Sequence, residues 1–180
     1  MASMHFTMVK ILLLYLMTAC CNANDEACMA SIGVGVGTCP PTWIQWKDKC
    51  FKATKEPLTW SQAHEECSRM GGVMATPNSP EDTQQLLSIT HNQHFWIDCN
   101  DLVNEGVWEC KEGETAIYYR DWADGEPNEF GGQDEDCVKY RFKIDENTPS
   151  WNGWNDVRCE DVFELAVCKK PAPSLHFLHV

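Results

Sequence analysis

The sequence predicts a small, disulfide-stapled α+β domain: two helices, small antiparallel sheets and a long irregular loop region. Three observations carry this. Two stretches, Thr59 to Met70 and Ser79 to Ile89, repeat apolar side chains at helical spacing behind recognisable N-caps. Val138, Tyr140 and Phe142 alternate with Lys139 and Arg141, the period-two pattern of a strand with one face buried. Eleven cysteines among 180 residues are a liability in a reducing cytosol and become staples in an oxidising compartment. Loops this long are unusual in a compact domain, and cross-links of this number would help to hold them.

In chain order, Lys10 precedes an apolar run from Ile11 to Ala19, and Cys21-Asn22-Ala23 offers a small-residue cleavage site. Residues 1–23 therefore read as a signal peptide and imply a secreted, extracellular protein. A buried N-terminal helix is the alternative, and it explains neither Lys10 nor the downstream cysteines. The run is too short to span a bilayer, and no other segment approaches the required length. Residues 24–38, Gly/Val-rich between Ser31 and Gly37, read as a short linker with too few large side chains for a core. The chain has room for one core-bearing domain, expected at 39–170, and residues 171–180, with two prolines, read as a loose tail.

Within the domain, Cys39 to Trp43 and Lys49-Cys50-Phe51 read as a hairpin clipped by a bridge. Thr59 caps the first helix, and Gln62 three residues on completes a capping box. Trp60, Ala63, Cys67 and Met70 form one apolar stripe, which Gly71-Gly72 ends. The second helix opens with Ser79 as cap, Pro80 at its first position and Asp82 in its first turn, and buries Leu86, Leu87 and Ile89. Phe95-Trp96-Ile97 is a buried strand that continues into Asp98-Cys99. Cys99 and Cys110 flank one loop and most simply bridge to each other. Asp145 to Ser150 is a polar loop, and Val162 to Cys168 is the closing strand. Both near misses to an N-glycosylation acceptor, at Asn78 and Asn147, fail the pattern.

Formal charge is −13 and the isoelectric point about 4.7, which argues against nucleic acid and anionic membranes as partners and suits a surface that collects cations. The acids bunch between Asp121 and Asp136. There, Glu126-Pro127-Asn128 and Glu135-Asp136-Cys137 are answered downstream by Trp154-Asn155-Asp156. Glu126, Asn128, Glu135, Asn155 and Asp156 are five oxygen-bearing side chains with no adjacent Lys or His to suggest acid/base chemistry or a softer metal. Calcium takes six to eight oxygen ligands at flexible geometry, so five side chains and a backbone carbonyl leave positions for an outside ligand.

These three motifs, in this order and spacing, resemble the signature of C-type lectin carbohydrate-recognition domains over about Cys39 to Lys169. The resemblance implies Ca²⁺ as cofactor, held by Glu126, Asn128, Glu135, Asn155 and Asp156, with a sugar bound to the ion and to the same side chains. It implies a cis bond before Pro127. The order Glu126 then Asn128 implies equatorial 3- and 4-hydroxyls, as in glycans of mannose type on microbial or host glycoproteins, whereas Gln-Pro-Asp implies galactose. A second calcium site is implied at Asp101, Glu105, Glu129 and Asp136. The pairings Cys39–Cys50, Cys67–Cys168 and Cys137–Cys159 are likewise implied, alongside the Cys99–Cys110 bridge. The loop of about 100 residues closed by Cys67–Cys168 removes the most unfolded-state entropy, roughly 4 to 5 kcal/mol in the chain-entropy account. Trp122, Trp151, Trp154 and Trp108 match core positions.

Cys28 is left unpaired and offers a disulfide-linked homodimer. His91 and His94 lack a third ligand for zinc. Phe130 is placed either to touch a sugar or to pack its loop. Two competing functions stand beside the lectin: a protein-, mineral- or ice-binding domain of the same fold, and a glycosidase using paired carboxylates such as Glu126 and Glu135. The latter needs a protonated acid in an apolar setting, which this amide-rich cluster does not offer. The chain is therefore expected not to be an enzyme.

Overall fold

The computed structural model describes residues 31–142, 152–162 and 164–179. The expected signal peptide, Cys28, the Asp145–Ser150 loop and Trp151 lie outside these residues. Two units separate: residues 38–173, and the terminal segments on either side of them.

In the terminal unit, β1 (Ser31–Val36) pairs antiparallel with β11 (Ser174–His179). Parts of the segments expected as linker and loose tail thus pair with each other. A two-stranded pairing satisfies backbone donors and acceptors between the segments themselves, so the scarcity of large side chains in Ser31 to Gly37 did not preclude order.

The larger unit opens with β2 (Ile44–Trp46), just after the expected Cys39 to Trp43, and β3 (Lys49–Ala53), which starts where the sequence places it. α1 (Trp60–Arg69) has the capping box read from sequence: Thr59 accepts from the Gln62 N–H, and the Gln62 side chain accepts from the Thr59 N–H. β4 (Val73–Met74) follows. α2 (Pro80–Ile89) starts from Ser79, whose hydroxyl accepts the Asp82 N–H. Next come β5 (Phe95–Asn100), β6 (Glu109–Glu112), β7 (Thr115–Ala116), β8 (Cys137–Arg141), β9 (Gly153–Val157) and β10 (Val167–Pro171). They form a four-stranded sheet ordered β2-β3-β10-β4 and a five-stranded sheet ordered β7-β6-β5-β8-β9. Pairing in both is antiparallel.

The closing strand begins later than the sequence suggests. Glu164 and Leu165 make only single bridges, to Leu58 and Phe95, so this segment crosses from one sheet to the other before regular pairing starts at Val167.

The first half of β5, Phe95-Trp96-Ile97, is apolar without alternation because both its faces are covered. Phe95, Ile97 and Cys99 join the cluster of Leu86, Val138, Tyr140 and Trp154, while Trp96 joins Ala63, Cys67 and Met74. Trp96 is fully buried and its indole N–H donates to Leu58 O at 2.7 Å. Removing such a side chain costs about 3 to 5 kcal/mol. Trp60 is half-buried, its indole N–H on Ile97 O at 2.9 Å, so the first helix is tied to the middle strand by a directed bond as well as by packing. Trp108 and Trp122 are half-buried and pack edge-on.

Four disulfides hold this unit: Cys39–Cys50, Cys67–Cys168, Cys99–Cys110 and Cys137–Cys159. The 99–110 bridge joins residues directly opposite each other across β5 and β6.

Candidate functional site

The site is built on the far edge of the five-stranded sheet. β9 is an edge strand of that sheet, and the chain from Asp121 to Ala123 lies against it: the Trp154 N–H donates to Asp121 O at 2.6 Å, and the Ala123 N–H donates to Trp154 O at 2.9 Å. Gly153 permits this approach, because a Cβ there would stand 2.6 Å from Ala123 N. Cys137–Cys159 fixes the end of β8 to the chain leaving β9. The loop 124–136 is thus anchored at both ends beside Asn155 and Asp156.

Asp156 organises the loop. It is fully buried, and its Oδ2 accepts the N–H of Asn128 at 2.8 Å and of Glu129 at 2.9 Å. Glu135 Oε2 accepts the Phe130 N–H at 2.7 Å, and Glu129 Oε1 accepts the Glu135 N–H at 3.2 Å. Acidic side chains thereby take the place of secondary structure as partners for the loop's backbone donors. The peptide bond between Glu126 and Pro127 is cis, and Glu129 sits in the left-handed region at φ 47°.

Glu126, Asn128, Glu135 and Asn155 line one cleft of about 540 Å³ with Phe130 and Arg141, and Asp156 lies beneath it. Burial, then the adjacent Asp156 carboxylate, pushes the Glu126 carboxyl up to about 7. Burial also raises Glu135, partly opposed by the hydrogen bond from Phe130. With both carboxyls ionised, Glu126 Oε2 and Asp156 Oδ1 are buried with no hydrogen-bond donor among the described residues. Buried carboxylate oxygens are costly unless something electropositive meets them. Oxygens of this kind beside amide oxygens fit a hard cation such as Ca²⁺.

A second acidic group adjoins the first. Carboxylate oxygens of Asp101, Glu105 and Asp136 lie within 4.8 Å of one another, as do those of Glu105, Glu129 and Asp134. Asp101 is buried, with Oδ2 accepting the Gly106 N–H at 2.8 Å and Oδ1 without a hydrogen-bond partner among the described residues. Burial raises Asp101, Glu105 and Asp136 alike, and neighbouring carboxylates add to each shift. Glu129 thus links the two groups, reaching Glu135 on one side and Glu105 on the other.

Sequence reasoning missed Asp134 in the second group and His94, Lys139 and Arg141 around the cleft. Lys139 lies opposite Asn155 and Arg141 opposite Gly153 in the β8–β9 register. Their alternation was legible, but which strand they would face was not. His94, weighed with His91 as a zinc ligand, has its Nε2 3.2 Å from Phe142 O. No group of candidate metal ligands among the described residues includes either histidine.

The sequence profile of the Lectin C-type domain matches residues 56–170. The mouse low affinity immunoglobulin epsilon Fc receptor is 31% identical over 144 residues, covering 80% of this chain; the match spans only 40% of the receptor's own length. The cow CD23 carbohydrate-recognition domain, solved in the presence of a GlcNAc2Man3 oligosaccharide, superposes with TM-score 0.63 at 29% identity, covering 76% of this chain and 98% of that one. A calcium-independent type II antifreeze protein shares the fold with TM-score 0.63 at 24% identity, covering 76% of this chain and 96% of that one.

Proposed function

The chain belongs to the C-type lectin domain family, and from that premise we propose that it is a secreted, calcium-dependent lectin for mannose-type sugars, with glycans on microbial or host glycoproteins as partners. The observation that carries this reading is the grouping of Glu126, Asn128, Glu135, Asn155 and Asp156 about one cleft, with two buried carboxylate oxygens that lack partners among the described residues. These five side chains would hold Ca²⁺, which supplies coordination positions for two neighbouring sugar hydroxyls. The protein's own part is directional. An ionised Glu126 only accepts hydrogen bonds, and the Asn128 amide nitrogen only donates them, so each hydroxyl is offered a fixed role. Phe130 is exposed on the rim of the cleft, placed to cover an apolar sugar face. Secretion is supported by the N-terminal pattern and by the four disulfides.

The fold shared with the calcium-independent antifreeze protein supports a second reading, a domain of this fold that binds no sugar. Glycan-array binding with and without a chelator decides between them. Mannose-type signal abolished by chelator is expected; no signal, or signal indifferent to chelator, overturns the lectin reading.

A further inference from the structure

Among the cations of this cleft, one engages the expected calcium ligands themselves. Arg141 Nη1 donates to Asn155 Oδ1 at 2.8 Å, and the same nitrogen lies 4.0 Å from Glu126 Oε1. Lys139, on the same face of β8, is held elsewhere, 2.6 Å from the buried Glu164 carboxylate. Register explains the reach of Arg141. It ends β8 opposite Gly153, which has no side chain to fill the intervening space, and Asn155 stands two residues further along the same face of β9.

The Asn155 amide nitrogen donates to Asp156 O, so Oδ1 is the atom this amide presents to the cleft. One amide oxygen cannot serve a guanidinium and a divalent ion together without bringing two positive centres within a few ångströms of each other. Glu126 Oε1 is under the same competition. The Arg141 side chain is one-third exposed, so it has solvent to move into.

We propose that Arg141 is a built-in competing cation: it offsets the acidic cluster in the metal-free protein and must leave when the site takes calcium, which weakens calcium binding. Arg141 is then a positioning residue that sets the calcium level at which the lectin engages. The inference rests on the calcium reading above. It makes two predictions of opposite sense, which a merely structural role would not produce. Loss of the charge should tighten calcium binding, because the competitor and its repulsion are gone. It should also weaken the metal-free fold, because the carboxylates lose their counter-charge.

The test is calorimetric titration of the full secreted chain with CaCl₂ alone, without sugar, beside thermal melts in chelator, for wild type, R141Q and R141K. R141Q is expected to bind calcium about three- to tenfold more tightly, the size of effect a partly exposed pair with added repulsion produces. It should also melt lower than wild type in chelator and no lower in saturating calcium, which shows that it folds. R141K retains charge without the planar fork and should fall between the two. Calcium affinity in R141Q equal to or weaker than a measurable wild-type affinity overturns this inference alone. Absence of calcium binding in both wild type and R141Q overturns the calcium reading beneath it.

Discussion

At the scale of single residues, the site depends on one absent side chain. A Cβ on Gly153 would stand 2.6 Å from Ala123 N and 2.8 Å from Asp121 O, both backbone atoms that cannot yield without moving the whole 121–123 segment. Gly153→Ala is therefore expected to cost about 1 to 3 kcal/mol, with loss of calcium affinity since the loop anchor shifts; chemical denaturation and calcium titration check the two effects. Specificity is a residue-scale property as well. Glu126→Gln with Asn128→Asp exchanges acceptor and donor while keeping one carboxylate and one amide, so calcium binding should persist and preference should move from mannose toward galactose. An unchanged mannose-to-galactose affinity ratio, in a double variant shown to retain calcium, would count against these side chains as the sugar readers. Glu126, Asn128, Glu135, Asn155 and Asp156 were all nameable in advance, because they come as compact motifs. Arg141 was not, because its partners are chosen across strands.

At the scale of elements, β8 joins core and site. One face sends Val138 and Tyr140 into the core, and the other sends Lys139 and Arg141 toward the cleft. Lys139 pairs with Glu164, which is fully buried in the segment that crosses between the two sheets. Removing one member of such a pair leaves an uncompensated buried charge. Lys139→Ala is expected to destabilise by about 3 to 5 kcal/mol, whereas Lys139→Met with Glu164→Leu should be close to neutral. Denaturant midpoints at saturating calcium test this, and equal losses in the single and double variants would show that packing of Lys139, not its charge, matters. Both helices were legible because a capping box in the first, a serine cap with proline at the first position in the second, and apolar stripes in both are local signals. The crossing segment and the β1–β11 pairing were not, since single bridges and pairing between chain ends leave no local period.

At the scale of the whole molecule, the calcium reading sets metal and proton in competition for one set of carboxyls. Burial and the neighbouring Asp156 raise Glu126 to about 7, and Glu135, Asp101 and Asp136 move in the same direction. Groups raised on folding bind more protons in the folded state than in the unfolded one, so without calcium their contribution to stability falls as pH rises from about 4.5 to about 7. With calcium, which requires the ionised forms, stability should instead rise across the same window. Melting temperatures in chelator and in millimolar calcium, at about pH 5 and about pH 7.5, should show slopes of opposite sign. Parallel slopes would mean that these carboxyls do not hold the ion. By itself the sequence determined the two helices, the cysteine-rich character and which oxygen-bearing side chains are candidates for the cleft, because caps, periodicity and residue chemistry are carried within a few neighbouring positions. Only the tertiary structure decided which oxygens are buried without partners, that Asp134 joins the second acidic group, and that Arg141 reaches Asn155, because burial and cross-strand register exist only once distant segments are packed together.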